Sequence, residues 1–187
     1  VEAAREVLSN HGVILFPTET FYGLGADPRD PQAVERVFAL KQREQTKALL
    51  VVAADLQQVE ELALVPEPWR QRLANLWPAP LTVVLAARQP LPGSGATVAL
   101  RVPAHPLLRQ LLAQVGPLTA TSANLSGQPP GCQLAEVKEL AQAVDLVLDG
   151  GRTPGGLPST LVDLTTSPPR LLRPGALVVP PGWLQEA

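Results

Sequence analysis

A chain of 187 residues, 45% hydrophobic and 17% charged, is long enough for one domain with a sizeable core. Its net charge of −2 and pI near 5.7 argue against a surface built to blanket nucleic acid, which carries a strong basic excess. A single cysteine, Cys132, excludes an internal disulfide, and two histidines, His11 and His105, leave no zinc constellation.

Residues 2–9 read as a short helix, with Ala4, Val7 and Leu8 at helical spacing. Val13-Ile14-Leu15-Phe16 is apolar on both faces and reads as a buried strand that Pro17 ends. Thr18-Glu19-Thr20-Phe21-Tyr22-Gly23-Leu24-Gly25 then turns away, either as a plain glycine turn or as a ligand loop at the end of a buried strand. Asp30-Pro31 is a helix start, an N-cap followed by proline at the first helical position, and Val34, Val37 and Phe38 give that helix its apolar stripe. It runs into Lys41-Gln42-Arg43, with Lys47 just beyond. This cationic cluster either complements the negative helix end or holds a multiply charged anion.

Residues 48–53 read as a second buried strand, and Asp55 caps a helix through Val59 and Leu62. Residues 68–77 read as a helix with Trp69, Leu73, Leu76 and Trp77 as core, followed by a strand over 81–87 and a loop over 89–95. In residues 97–102 the apolar Val98, Leu100 and Val102 share one face. Thr97, Ala99 and Arg101 share the other, which is either the solvent face of an edge strand or a small anion site. A helix carrying Leu108, Leu111, Leu112 and Val115 precedes a short strand over 118–120, which runs into Thr121-Ser122-Ala123-Asn124-Leu125-Ser126-Gly127. There Ser122 and Asn124 point the same way if the backbone is extended. Residues 133–144 read as a helix, 146–148 as a strand, 152–158 as a flexible connection, and 159–164 and 170–173 as strands.

No linker separates two cores, so residues 1–187 are expected to form one domain with a mixed sheet, several connections being too short for crossover helices. No apolar run approaches the roughly 18 residues that span a bilayer, and no charged-then-apolar leader opens the chain, so a cytoplasmic location is expected.

Taken as an ordered set, Pro17-Thr18-Glu19-Thr20, Lys41-Gln42-Arg43, Arg101, Ser122-Ala123-Asn124, Ser159-Thr160 and Arg173-Pro174-Gly175 resemble the YrdC-type family, the threonylcarbamoyl-AMP synthases of tRNA modification. The resemblance runs from Gly12 to Gly175 and rests on K-x-R followed far downstream by S-x-N, with the PTET-x-YGLG and TSANLSG blocks. It implies an α/β sandwich around a twisted mixed parallel and antiparallel sheet, with a large positively lined cavity. The chain looks like the short, single-domain form.

The activity so implied is condensation of L-threonine, bicarbonate or CO2, and ATP into threonylcarbamoyl-adenylate and pyrophosphate, with Mg2+ accompanying ATP. A partner transferase complex would pass the threonylcarbamoyl group to adenosine 37 of tRNA, which allows a weak tRNA contact. By the same resemblance Lys41, Arg43, Ser122 and Asn124 match the signature that lines the nucleotide site, Lys41 and Arg43 being the catalytic pair. Lys47, Thr97, Cys132 and Arg173 fall at ATP contacts, with backbone contacts able to serve at Lys47 and Cys132. Thr20, Arg101, Ser122 and Ser159 fall at threonine contacts, with Arg101 the natural partner of the carboxylate, and Val52 stands where many members carry a histidine.

No catalytic nucleophile is needed for such a step, which depends on positioning and on neutralising phosphate charge. A rival of another class is an RNA-binding module without catalysis, whose tRNA affinity would fall steeply with salt. Arg43→Ala is expected to abolish pyrophosphate release in the presence of threonine and bicarbonate; wild-type turnover by that variant would refute the assignment.

Overall fold

The computed structural model describes residues 1–42, 49–125 and 127–185. Strand β1 (Ile14–Pro17) pairs antiparallel with β2 (Tyr22–Gly25), Ile14 opposite Gly25 and Pro17 opposite Tyr22. On its other side β1 runs parallel to a short strand at Leu146–Val147, and β2 takes Thr121–Ser122 antiparallel, giving a four-stranded mixed sheet.

The second sheet has six strands and is also mixed. In chain order its members are β3 (Leu50–Val52), β4 (Leu81–Leu91), β5 (Gly95–Arg101), β6 (Leu118–Thr119), β9 (Thr160–Asp163) and β10 (Arg170–Arg173), the pair at Thr121–Ser122 and Leu146–Val147 being β7 and β8. Their order is β10-β9-β4-β5-β3-β6. The expected mixed sheet is thus divided in two, and residues 118–122 belong to both. Leu118 and Thr119 pair with Val52 and Val51, whereas Thr121 and Ser122 pair with Leu24 and Gly23. Thr119 seals the junction: its N–H donates to the Ala26 carbonyl (2.9 Å) and its hydroxyl oxygen accepts from Ala26 N–H (2.9 Å).

One expectation is corrected, and one of two open alternatives is removed. Residues 89–95 are a hairpin, not a loop: β4 continues to Leu91 and Leu91 pairs with Gly95. The register slips between Ala86 and Leu91, a stretch that contains Pro90, which has no N–H to give the ladder. Gly93, at φ 68°, makes the turn where an added Cβ would strike the Phe38 ring. Strand β5 lies between β4 and β3, so the Thr97–Ala99–Arg101 face is not an edge-strand surface. Burial alternates over Thr97–Leu100, and Arg101 is buried beside Leu100.

The helices sort onto the faces as their stripes dictate. Helix α1 (Glu2–Ser9) and α5 (Pro106–Val115) bury Leu8, Leu108 and Leu112 against Ile14 and Phe16, in a cluster that also holds Val52. Val52 is therefore a core side chain. Helix α2 (Pro31–Lys41) packs Val34, Val37 and Phe38 against Leu15, Tyr22 and Leu24 on the opposite face of the four-stranded sheet. The expected helix over 133–144 is a 3₁₀ turn (Leu134–Val137) followed by α6 (Lys138–Ala143). Helices α3 (Leu56–Leu62) and α4 (Trp69–Leu76) cover the six-stranded sheet, with Trp77 buried and the Trp69 ring edge-on to Trp183 at 5.1 Å. Among the described residues, no helix is long and apolar enough to cross a membrane.

Asp30 caps α2 through Gln32 N–H (3.0 Å) and Ala33 N–H (3.3 Å). Asp145 joins that helix to β1, accepting from Val13 N–H at 2.8 Å and from Arg36 at 2.9 Å. Burial alone would raise the Asp145 carboxyl, but the Arg36 and Val13 hydrogen bonds outweigh it and hold the group below the usual carboxylate range. A depressed folded-state value stabilises above the unfolded value and is lost as pH falls through the folded one. Asp145→Asn should therefore lower the melting temperature at neutral pH and flatten its fall below about pH 4; thermal melts between about pH 3 and 7 check both.

Candidate active site

The turn between β1 and β2 is built by one side chain. The Thr18 hydroxyl accepts from Thr20 N–H (3.1 Å) and Phe21 N–H (3.2 Å) and donates to the Phe21 carbonyl at 2.7 Å. This folds the chain back within four residues and leaves Thr20 facing a cavity of about 320 Å³. Strands from both sheets wall that cavity: Thr20 and Ser122 from the four-stranded side, and Arg101, Ser159 and Arg173 from the six-stranded side. Five side chains that are scattered from position 20 to position 173 thus share one hollow.

Behind Ser122 lies the junction with α2. Ser122 and Asn124 do meet, but through a tight turn and not an extended strand: Asn124 N–H donates to the Ser122 carbonyl at 3.0 Å. The Ser122 hydroxyl donates to Asn124 Oδ1 at 2.6 Å. Lys41, at the last position of α2 and 3% exposed, directs its Nζ at the Ser122 carbonyl, the Asn124 carbonyl (2.9 Å) and Asn124 Oδ1 (3.1 Å). The Asn124 amide is oriented by donating to the Leu125 (3.0 Å) and Gln128 (2.7 Å) carbonyls. Lys41 and Asn124 are thereby joined to the cavity wall through Ser122 while neither is part of the wall itself.

Among the described residues that line the cavity, the cations are Arg101 and Arg173. Arg173 leans across Ser159, donating from Nε (3.2 Å) and Nη2 (2.9 Å) to its carbonyl, and the Ser159 hydroxyl meets Thr82 Oγ1 at 2.7 Å. Burial pushes Arg101 below its ordinary value; Glu19 opposes that shift and the charge on Arg173 adds to it. Burial also pushes Arg173 down.

Thr97 and Cys132 are not part of this wall. Thr97 shares the Arg101 face of β5 but sits beyond Ala99, opposite Ala86, where the cavity has ended. Cys132 is engaged by its backbone: its N–H donates to Glu136 (2.7 Å) and its carbonyl accepts from Thr153 N–H (2.8 Å). Its sulfur lies against Gly155, where a Cβ would come within 2.9 Å. Arg43 and Lys47 lie outside the described residues. The connection over 152–158 is tied down at Gly155, whose N–H donates to the Thr20 carbonyl (2.7 Å), and Pro158 lines the cavity. Thr18 and Thr82 line it too, and neither is among the individual site residues expected from the sequence. Thr82 had one available signal, as a hydroxyl on the face of β4 opposite the buried Leu81, Val83 and Leu85.

The Sua5/YciO/YrdC family model, described as Telomere recombination, matches residues 6–175. The chain belongs to the Sua5/YciO/YrdC family. Within the family it is 41% identical over 172 residues to the threonylcarbamoyl-AMP synthase of Pyrococcus abyssi, covering 88% of this chain and 51% of that relative. It is 39% identical over 180 residues to the threonylcarbamoyl-AMP synthase of Pseudomonas putida, covering 93% and 96%. The chain therefore spans about half the length of the first relative and nearly all of the second. The solved structure of P. abyssi Sua5 complexed with L-threonine matches with a TM-score of 0.86 at 39% identity, over 92% of this chain and 53% of that one.

Lys41, Ser122 and Asn124 thus form one bonded group beside the cavity, joined to its wall through Ser122. Asn124→Ala removes an acceptor from Lys41 and Ser122 together. It should cost about 1–3 kcal/mol of stability, since a buried charge loses a hydrogen bond; urea denaturation measures the loss.

Proposed function

We propose that this chain is an L-threonylcarbamoyladenylate synthase, a nucleotidyltransferase that forms threonylcarbamoyl-AMP and pyrophosphate from L-threonine, bicarbonate or CO2, and ATP. The observation that carries the reading is the joint presence of Arg101 and Arg173 in one cavity with the hydroxyls of Thr20, Ser122 and Ser159, Ser122 being bonded to Lys41 and Asn124. Two fixed cations suit a substrate pair that brings a carboxylate and a triphosphate together. The names of the relatives, and the L-threonine with which P. abyssi Sua5 is complexed, support the same assignment.

In this reading Arg101 takes the threonine carboxylate and Thr20, Ser122 and Ser159 surround the amino acid. The threonine amine, once neutral, forms a C–N bond with CO2 and releases a proton, giving a carbamate. A carbamate oxygen then attacks the α-phosphorus of ATP, and the α–β bridging bond breaks with its electron pair leaving on pyrophosphate. Arg173, with Arg43, supplies positive charge for the phosphates, Lys41 adds its charge from behind Ser122, and Asn124 holds Ser122 and Lys41 in place.

Mg2+ would enter as a companion of the nucleotide. Among the described residues, no group of three or more His, Cys, Asp or Glu could hold a metal, and Mg2+ commonly keeps its waters and binds through substrate phosphates. Bound there it would supply further charge neutralisation. The adenylate would pass to a tRNA threonylcarbamoyl transferase complex, in the cytoplasm where ATP and tRNA are available.

Incubation with ATP, bicarbonate and isotope-labelled threonine should yield, by mass, a labelled adenylate and pyrophosphate; their absence overturns the reading. Arg101→Ala should raise KM for threonine about 100-fold, close to the ~3 kcal/mol that a charged hydrogen-bond pair contributes, with a much smaller change in KM for ATP.

A further inference from the structure

Glu19 has no role in the scheme above, yet its placement is unusual for a carboxylate. Its Oε1 lies 3.2 Å from Nη1 of Arg101, and of the ion pairs found among the described residues this one is the least exposed. Both carboxylate oxygens are buried without a hydrogen-bond partner, and so is Nε of Arg101. The two groups therefore attract through charge, without the aligned double bond that arginine and carboxylate usually share.

Groups of this kind, buried and unbonded, are costly, and they persist in folded proteins mainly where function uses them. Arg101 faces the cavity on one side, while the oxygens of Glu19 are closed off from it. Burial and the nearby Arg173 both act against the charge on Arg101, and Glu19 is the charge that acts for it. Because the pair is not aligned, Glu19 does not consume the N–H donors of Arg101, and no hydrogen bond from the guanidinium is found among the described residues. Glu19 itself is held by the Thr18 turn before it and by the bond from Gly155 N–H to the Thr20 carbonyl after it.

We infer that Glu19 is a positioning residue. It stands behind Arg101, aims the guanidinium into the cavity and leaves its fork of donors open for the carboxylate of the amino-acid substrate. Glu19 does not touch the substrate; it acts through Arg101. The inference rests on the threonylcarbamoyl-AMP synthase reading and adds to it the group that makes its carboxylate site.

The test is steady-state pyrophosphate release by the full chain, with threonine and ATP varied separately, for wild type, Glu19→Gln and Glu19→Asp. Glu19→Gln should raise KM for threonine about tenfold and leave KM for ATP within about twofold, because only one substrate uses Arg101. Glu19→Asp, which keeps the charge with a shorter reach, should recover a large part of the loss. A threonine KM unchanged in Glu19→Gln overturns the inference, as does an equal rise in both KM values, which would mark a general structural defect. If Glu19→Gln does not fold, the same split in Glu19→Asp decides; loss of folded protein in both variants assigns Glu19 to the fold and overturns it as well. Failure of the wild-type chain itself to release pyrophosphate is a separate result, and it counts against the functional reading.

Discussion

A buried ammonium group must be surrounded by oxygen, and that requirement organises this molecule around Lys41. At 3% exposure its charge has lost nearly all contact with water, and the loss is offset only by charge-assisted hydrogen bonds. The carbonyls of Ser122 and Asn124 and the amide oxygen of Asn124 provide them. Because Lys41 ends α2 and Ser122 ends β7, one charge fixes a helix end, a strand end and the turn that follows. The division of residues 118–122 between two sheets brings that strand end to the cavity.

Arg101 is the counterpart, a second buried cation with a different set of partners. Lys41 is buried and bonded; Arg101 is equally buried and has an unpartnered Nε beside an unpartnered carboxylate. A saturated cation braces the fold, whereas an unsaturated one in a cavity wall is available to a ligand. The second cation, Arg173, lies between these cases, since it donates to Ser159 and still lines the cavity. Strand β10 carries Arg173, and β5, which carries Arg101, is an interior strand of the same sheet. The spacing of the two charges is therefore set by a hydrogen-bonded scaffold and not by flexible loops.

Several short-range signals were readable residue by residue. Asp30-Pro31 and Asp55 mark helix starts because a side-chain acceptor and a missing N–H act locally, and both caps are present. The alternation around Arg101 was equally plain, but two-fold periodicity says which residues share a face and not which strands lie alongside. That is why an edge strand stayed open until β5 was found between β4 and β3. The same gap explains Thr97 and Cys132: matching a family position does not say how far a side chain reaches into this cavity.

By itself the sequence determined most helices and strands, their apolar faces, the family and the motifs that carry Lys41, Ser122 and Asn124, because these follow from local stereochemistry and from motifs that can be read in order. The tertiary structure alone decided that the sheet divides within residues 118–122, that 89–95 close a hairpin, and that Thr82 joins the wall. It alone placed Glu19 behind Arg101 without an aligned bond. These depend on contacts between residues up to about a hundred positions apart, whose pairing is settled by packing and desolvation across the whole chain and leaves no periodicity in any one segment.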